Sequence, residues 1–442
     1  MQALLKENKR TFYLATPIIV GHLSQMLVGL ADTMMIGRVG TDELAAVAFV
    51  NVLFNFPFVV GIGIFAATSV LVSHAHGENS LVKAADSLRH ATLISVVVGL
   101  GLALLLLSTT PFLHLFGQSE AVIALAPDYL FWIALSLIPI LPAQTIKSFA
   151  EAKDHPWPVL WIMLSGVLIN IVLNYILIFG HFGAPALGLE GAGIASFCSR
   201  LVVLVAVVLY LLKSKRLAPS RPTRWLAPLR LPQSWALARI AAPISGQLTL
   251  EFGAFAYGAL LIGSFGSAPL AAHQIAITCA ALSFMLPLGL AMAVTIRVGH
   301  TIGANEYHRC RTLISAAQLT TFVMMSLTAL LFVTAGDAIA NLFTTDTEVI
   351  TLAASLFIVV AFFQMVDGFQ VIAMGALRGL HDVNWPTLLL FASFWLFGLP
   401  IGTIMAIPLK MGALGVWIGI AIGIAAAAFA LSWRLKQKLP KV

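Results

Sequence analysis

Five polar residues stand where the surrounding sequence is apolar. Asp32 is the only charge in VGLADTMMIG, Glu251 the only charge in LTLEFGAFAYGALLIG, and Asp367 follows FFQMV. Asn170 and Asn174 lie in LINIVLNY, and their spacing of four places both amides on one helix face. A carboxyl in such a setting can take up and release a proton. Alternatively, carboxylate and amide oxygens together can hold a hard cation. Insertion scales put the cost of a charge at membrane depth at about 2.5–3.5 kcal/mol, so charges kept there are functional candidates by default.

The elements that position these residues follow from composition. The chain has 442 residues, 60% hydrophobic and only 10% charged, with mean hydropathy +0.97. A soluble domain is nearer a quarter charged, so the class is a polytopic membrane protein. Lys and Arg exceed Asp and Glu by 25 to 18. They fall in short loops between apolar runs, which argues against a nucleic-acid partner and for a bilayer. Three dispersed cysteines, Cys198, Cys279 and Cys310, imply neither a disulfide framework nor a zinc site. The basic N-terminus leads into an apolar run without a cleavage pattern, so a retained first helix is expected.

Twelve segments are long enough to span: 11–36, 44–73, 89–110, 121–146, 157–180, 190–212, 236–262, 268–298, 311–335, 346–377, 385–408 and 412–434. Pro17, Pro57, Pro139, Pro142, Pro243 and Pro287 lie inside them as candidate kinks. Basic residues crowd one set of ends, from Lys6, Lys9 and Arg10 through seven in 213–239 to four in the C-terminal tail. The other ends carry only Arg38 and Lys410. The positive-inside rule places both termini in the cytoplasm, and in a bacterium the membrane is the inner one. The Pro-rich basic stretch KSKRLAPSRPTRW reads as a linker along the anionic leaflet.

The chain is written twice. At a shift of 226 residues, Ala15-x-Pro17-Ile18 meets Ala241-x-Pro243-Ile244, Leu44-Ala45-Ala46 meets Leu270-Ala271-Ala272, and His74, Gly77 and Asn79 meet His300, Gly303 and Asn305. Each repeat holds six spans, an even number, so the repeats run parallel about an axis along the membrane normal. The expected organisation is an N-terminal six-helix lobe (1–212), a cytoplasmic linker (213–235) and a C-terminal six-helix lobe (236–442), with a cleft able to open to either side. The series Gly415-x-x-x-Gly419-x-x-x-Gly423 reads as close helix packing.

The repeat also separates the acids. Glu251 falls on Gln25 and Asp32 falls on Gly258, so the two carboxyls share a helical face but differ in depth by about 10 Å. At a shift of 228, Asn170 and Asn174 fall on Gly398 and Gly402, and Asp367 at 226 falls on Leu141. Two unequal clusters are expected: Asp32 with Asn170 and Asn174, and Glu251 with Asp367, where Na⁺ is one candidate ligand. Phe284, Met285, Phe363 and Met365, with Gln25, are candidates for a soft wall against flat apolar cations. Asp128 and Arg200 read as interfacial or structural charges. Gly61-x-Gly63-x-x-Ala66 imitates a dinucleotide fingerprint but lies inside a span with no strand before it. His74-x-His76 reads as a solvated or structural pair, and neither a phosphate-binding loop nor a nucleophile–base set is present, so the chain is not read as an enzyme. Competition of an ion and a cationic substrate for one carboxylate gives antiport by reciprocal linkage.

The stretches LATPIIVGHLSQMLVGLADTMMIGRVGTDELAAVAF, LTLEFGAFAYGALLIGSFGSAPLAAHQIA and FFQMVDGFQVIAMGALRGLHD resemble the multidrug and toxic compound extrusion (MATE) family, in its NorM-like branch. The resemblance covers essentially the whole chain. It implies an all-α membrane protein of twelve helices in two lobes, which exports lipophilic, mostly cationic drugs and dyes in exchange for Na⁺ or H⁺. No cofactor besides the coupling ion is implied, and a monomer is expected. The family's second-lobe cation site falls on Glu251 and Asp367, its first-lobe acid on Asp32 and its polar pair on Asn170 and Asn174. The resemblance also implies that some relatives outside this branch carry an acid where this chain has Asn174. The rival readings are a flippase for lipid-linked oligosaccharides, which tends to carry basic residues in its cavity, and a receptor or scaffold, which leaves the paired acids unexplained.

Overall fold

Long apolar runs without water partners must satisfy their backbone internally, and here they do so as helices. The computed structural model describes residues 2–225 and 227–439. Met1, Leu226 and residues 440–442, with Lys441 of the basic tail, lie outside the described residues. The helices are α1 (Gln2–Ile36), α2 (Thr41–Gly77), α3 (Leu81–Leu107), α4 (Glu120–Leu135), α5 (Leu137–Ala152), α6 (Pro156–Phe179) and α7 (Gly188–Lys213). The second half follows as α8 (Leu231–Gly263), α9 (Ser267–Gly303), α10 (Tyr307–Asn341), α11 (Thr347–Gly379), α12 (Asn384–Phe391), α13 (Leu399–Ala406) and α14 (Gly412–Lys438). Turn chemistry starts several of them. Ser80 and Ser119 accept the Lys83 and Val122 amides, and Asp346 accepts those of Glu348 and Val349.

Among the described residues, fourteen α-helices make twelve spans because two spans are broken. Ser136 interrupts α4 and α5, where Pro139 removes the backbone donor that would bond to Leu135. A π-helical stretch, Ala392–Gly398, separates α12 from α13, and Pro400 just beyond it lacks the donor that would bond to Leu396. Among the described residues, eleven spans are long and apolar enough to cross a membrane by composition. The span not in that set is α8, which carries Gln247 and Glu251.

Packing divides the chain into two units, Val20–Ser245 and the residues up to Ile19 together with those from Gly246 onward. The division cuts α1 and α8 at repeat-equivalent positions, just past Pro17 and Pro243. Paired glycines explain it. A Cβ on Gly63 in α2 would lie 2.3 Å from the Ala241 carbonyl of α8, and one on Gly289 in α9 would lie 3.0 Å from the Ile19 amide of α1. The two glycines are 226 residues apart, so each repeat lends the start of its first helix to the other unit. Polar contacts fasten both loans. Arg297 pairs with Glu7 and donates to Thr11 at 2.5 Å, while Arg309 reaches Glu7 at 3.1 Å. Ser245 donates to the Val60 carbonyl at 2.9 Å, and Arg89 to that of Ala227 at 3.0 Å.

Candidate functional site

The first cluster lies in the Val20–Ser245 unit. Asn174 Nδ2 donates to Asp32 Oδ1 at 2.5 Å and to Asn170 Oδ1 at 3.3 Å. Asn170 Nδ2 donates in turn to Ser199 Oγ at 3.4 Å. A chain of amides therefore links the carboxylate of α1 through α6 to α7. Both asparagines are buried, and Asn174 Oδ1 has no hydrogen-bond donor. A buried acceptor oxygen beside a carboxylate is a suitable ligand for a cation.

Arg200 belongs to the same cluster, although its sequence position reads only as a structural charge. Its guanidinium donates to Ser136 Oγ and lies 4.9 Å above the Phe54 ring. It is within electrostatic reach of Asp32 and of the buried Tyr129. Asp128, next to Tyr129, is exposed. The signal in the sequence was the adjacency of Ser199 and Arg200 in a span opposite the asparagine helix.

The second cluster lies in the other unit. Asp367 of α11 and Arg378 near the end of the same helix are both within electrostatic reach of Glu251. Glu251 Oε1 is buried without a hydrogen-bond partner. Gln247, one turn before Glu251, is 1% exposed and donates to Met374 Sδ. Gln364, three residues before Asp367, donates to Ser283 Oγ and accepts from Thr328 Oγ1 at 3.1 Å. Gln364 and Gln247 sit at helical spacing from the acids, a pattern that could have marked them as supports. Arg378 stands 127 residues after Glu251 in the chain, so only folding brings it within reach of that acid.

The remaining predicted residues are distributed as follows. Phe363 is buried, with its ring stacked on Trp417 at 5.8 Å. Phe284, Met285 and Met365 are half-buried, and Gln25 is exposed. His76 lies 3.6 Å from Asp154 and 2.8 Å from Lys153, whose burial makes its ammonium easier to deprotonate than usual.

Glycine packing explains why the amide pair exists once. A Cβ on Gly402 would lie 3.3 Å from Gly419 Cα, and one on Gly419 only 2.2 Å from Gly402 Cα. Gly398 likewise faces the Gly419 carbonyl at 3.0 Å. Backbone meets backbone where the first repeat has Asn170 and Asn174, so no ligand side chain fits there. The acid pair on α8 and α11 supplies the second cluster instead.

A helical membrane protein with polar clusters in two repeated halves is a transporter architecture, and comparison with known proteins bears this out. The MatE family model matches residues 17–176 and 243–404, beginning at the equivalent prolines Pro17 and Pro243. The chain is 35% identical over 431 residues to a probable multidrug resistance protein NorM of Idiomarina loihiensis, covering 96% of this chain and 93% of that one. It is 36% identical to a protein of the same description from Rhodopseudomonas palustris, over 97% and 91% of the two chains. In fold it is similar to a eukaryotic MATE transporter, AtDTX14, with a TM-score of 0.90 at 24% identity over 99% and 98% of the chains. It is also similar to the Vibrio cholerae MATE transporter VcmN in its bent form, with a TM-score of 0.88 at 23% identity over 99% and 98%. The chain belongs to the MATE family of transporters, in its NorM-like branch.

Proposed function

We propose that the protein is a multidrug antiporter, exporting lipophilic, mostly cationic small molecules in exchange for Na⁺ or H⁺. The observation that carries this reading is the pair of buried acceptor oxygens without donors, Asn174 Oδ1 and Glu251 Oε1, each beside a carboxylate of its own cluster. Glu251 and Asp367 take the coupling ion, since two acids against one arginine leave one carboxyl without a cationic partner. Asp32, Asn170 and Asn174 form the site where a cation, coupled or transported, is exchanged. Phe284, Met285, Phe363, Met365 and Gln25 are the proposed contacts for drug. The two lobes alternate access to the cavity, the protein acts as a monomer in the inner membrane, and both termini face the cytoplasm. The NorM relatives are named as multidrug resistance proteins, which agrees with this choice. A lipid-linked oligosaccharide flippase is a weaker reading, because Arg200 and Arg378 are each compensated by an acid within reach.

The test is efflux of a cationic dye from proteoliposomes under an imposed Na⁺ or pH gradient, one at a time. Efflux driven by one of them is expected; if neither drives it, the antiporter reading fails.

A further inference from the structure

We propose that Arg200 is a tethered cation that competes with the transported cation for Asp32. The inference rests on the antiporter reading of the first cluster and deepens it. Arg200 Nη1 donates to the Ser136 hydroxyl, at the break between α4 and α5, and its guanidinium lies over the Phe54 ring. Both are neutral partners. Among the described residues, no ion pair joins Arg200 to Asp32. A guanidinium held in low-dielectric surroundings gains more from a carboxylate than from a hydroxyl and a ring. The amide chain from Asp32 through Asn174 and Asn170 ends on Ser199, the residue before Arg200, so both ends of the cluster meet on α7. The charged and titratable groups around the guanidinium are Asp32 from α1 and Tyr129 from α4. Glu190 of α7 is engaged elsewhere, accepting from Trp132 Nε1 at 3.3 Å.

The arginine therefore has two stations. At Ser136 and Phe54 it leaves Asp32 open to a mobile cation. When that cation departs, the guanidinium moves onto Asp32 and neutralises it, so the emptied site does not stay an uncompensated buried charge. Release of the cation is favoured because its replacement is already attached to the protein.

The test is equilibrium binding of tetraphenylphosphonium to the purified full-length protein, with its efflux from proteoliposomes measured in parallel. Removing the competitor with Arg200→Gln should tighten binding at least about tenfold, as expected for loss of a like charge in a partly dehydrated site. It should also slow turnover, so that KM and kcat fall together. Arg200→Lys retains the charge and should show a smaller shift. The gain should vanish in the Asp32→Asn background, because it acts through that carboxylate. Ser136→Ala removes the parking acceptor, drives the guanidinium toward Asp32 and should weaken binding; this variant decides the matter if Arg200→Gln does not fold. Unchanged affinity in folded Arg200→Gln or in Ser136→Ala, or an equal gain without Asp32, overturns the inference. If wild-type protein binds tetraphenylphosphonium but no gradient drives its efflux, the antiporter reading falls instead, and the affinities still decide the role of Arg200.

Discussion

Asn174→Ala tests the first cluster at its most connected atom. The substitution removes the donor to Asp32 at 2.5 Å, the donor to Asn170 at 3.3 Å and the unpaired Oδ1 that is free to face a cation. A hydrogen bond to a charged group contributes about 1.5–3 kcal/mol, which corresponds to roughly 10- to 100-fold in affinity. Asn170→Ala removes the bond to Ser199 at 3.4 Å and the acceptor of the Asn174 bond at 3.3 Å, both neutral and one step from the carboxylate, so its effect should be smaller, about tenfold. The assay is binding of a cationic dye to purified protein, with thermal unfolding as the check on folding. A small side chain at a buried helix position should leave the protein folded, since α6 retains its packing on α7. Asn174→Asp restores an oxygen with added charge and should recover or exceed wild-type affinity. If folded Asn174→Ala binds the dye as wild type does, the amide chain is structural and the first-cluster reasoning is refuted.

Three further outcomes follow from other parts of the molecule. Glu251→Gln and Asp367→Asn should each abolish gradient-driven dye efflux while the protein still folds; wild-type coupling in both would reduce these acids to structural groups. Gly419→Leu forces a side chain where even a Cβ would lie 2.2 Å from Gly402 Cα, so it should destabilise by at least about 1–3 kcal/mol in thermal unfolding, and a wild-type melting temperature would contradict the packing described. His155, between α5 and α6, is harder to protonate than the ordinary 6.5 because of its burial first and the Arg216 charge next. The folded state therefore binds that proton less readily than the unfolded one, so stability is full above pH 6.5 and declines as pH falls below it. His155→Gln should flatten this decline in melting temperature between pH 7 and pH 5.5.

Much of the architecture was legible before folding. Long apolar runs mark the spans because each must match the thickness of a bilayer, with α8 the least apolar of them, and the even number of spans in each repeat gives the repeats a parallel sense. Asp32, Glu251 and Asp367 stood out because a charge in an apolar run is costly, and Asn170 with Asn174 because four residues make about one helical turn. The family was readable from contiguous stretches such as LATPIIVGHLSQMLVGLADTMMIG. The pairing of Asp32 with Asn174 was an expectation from the repeat, and the 2.5 Å contact gives it geometry.

Tertiary structure decided what depends on residues far apart in the chain. Arg200 reads as an interfacial or structural charge, yet it and Arg378 each lie within electrostatic reach of a cluster acid, because Coulomb interaction depends on distance in space and not on separation in sequence. Gly63 resembled part of a nucleotide motif, but its lack of a side chain admits the α8 backbone, as Gly289 admits that of α1. The breaks at Ser136 and Ala392–Gly398 follow from prolines whose local effect depends on neighbouring helices. Most of all, the sequence shows two successive halves, whereas packing places the start of each half's first helix with the other half. Hydrophobic periodicity says that a helix face must be buried; only the fold says against which partner.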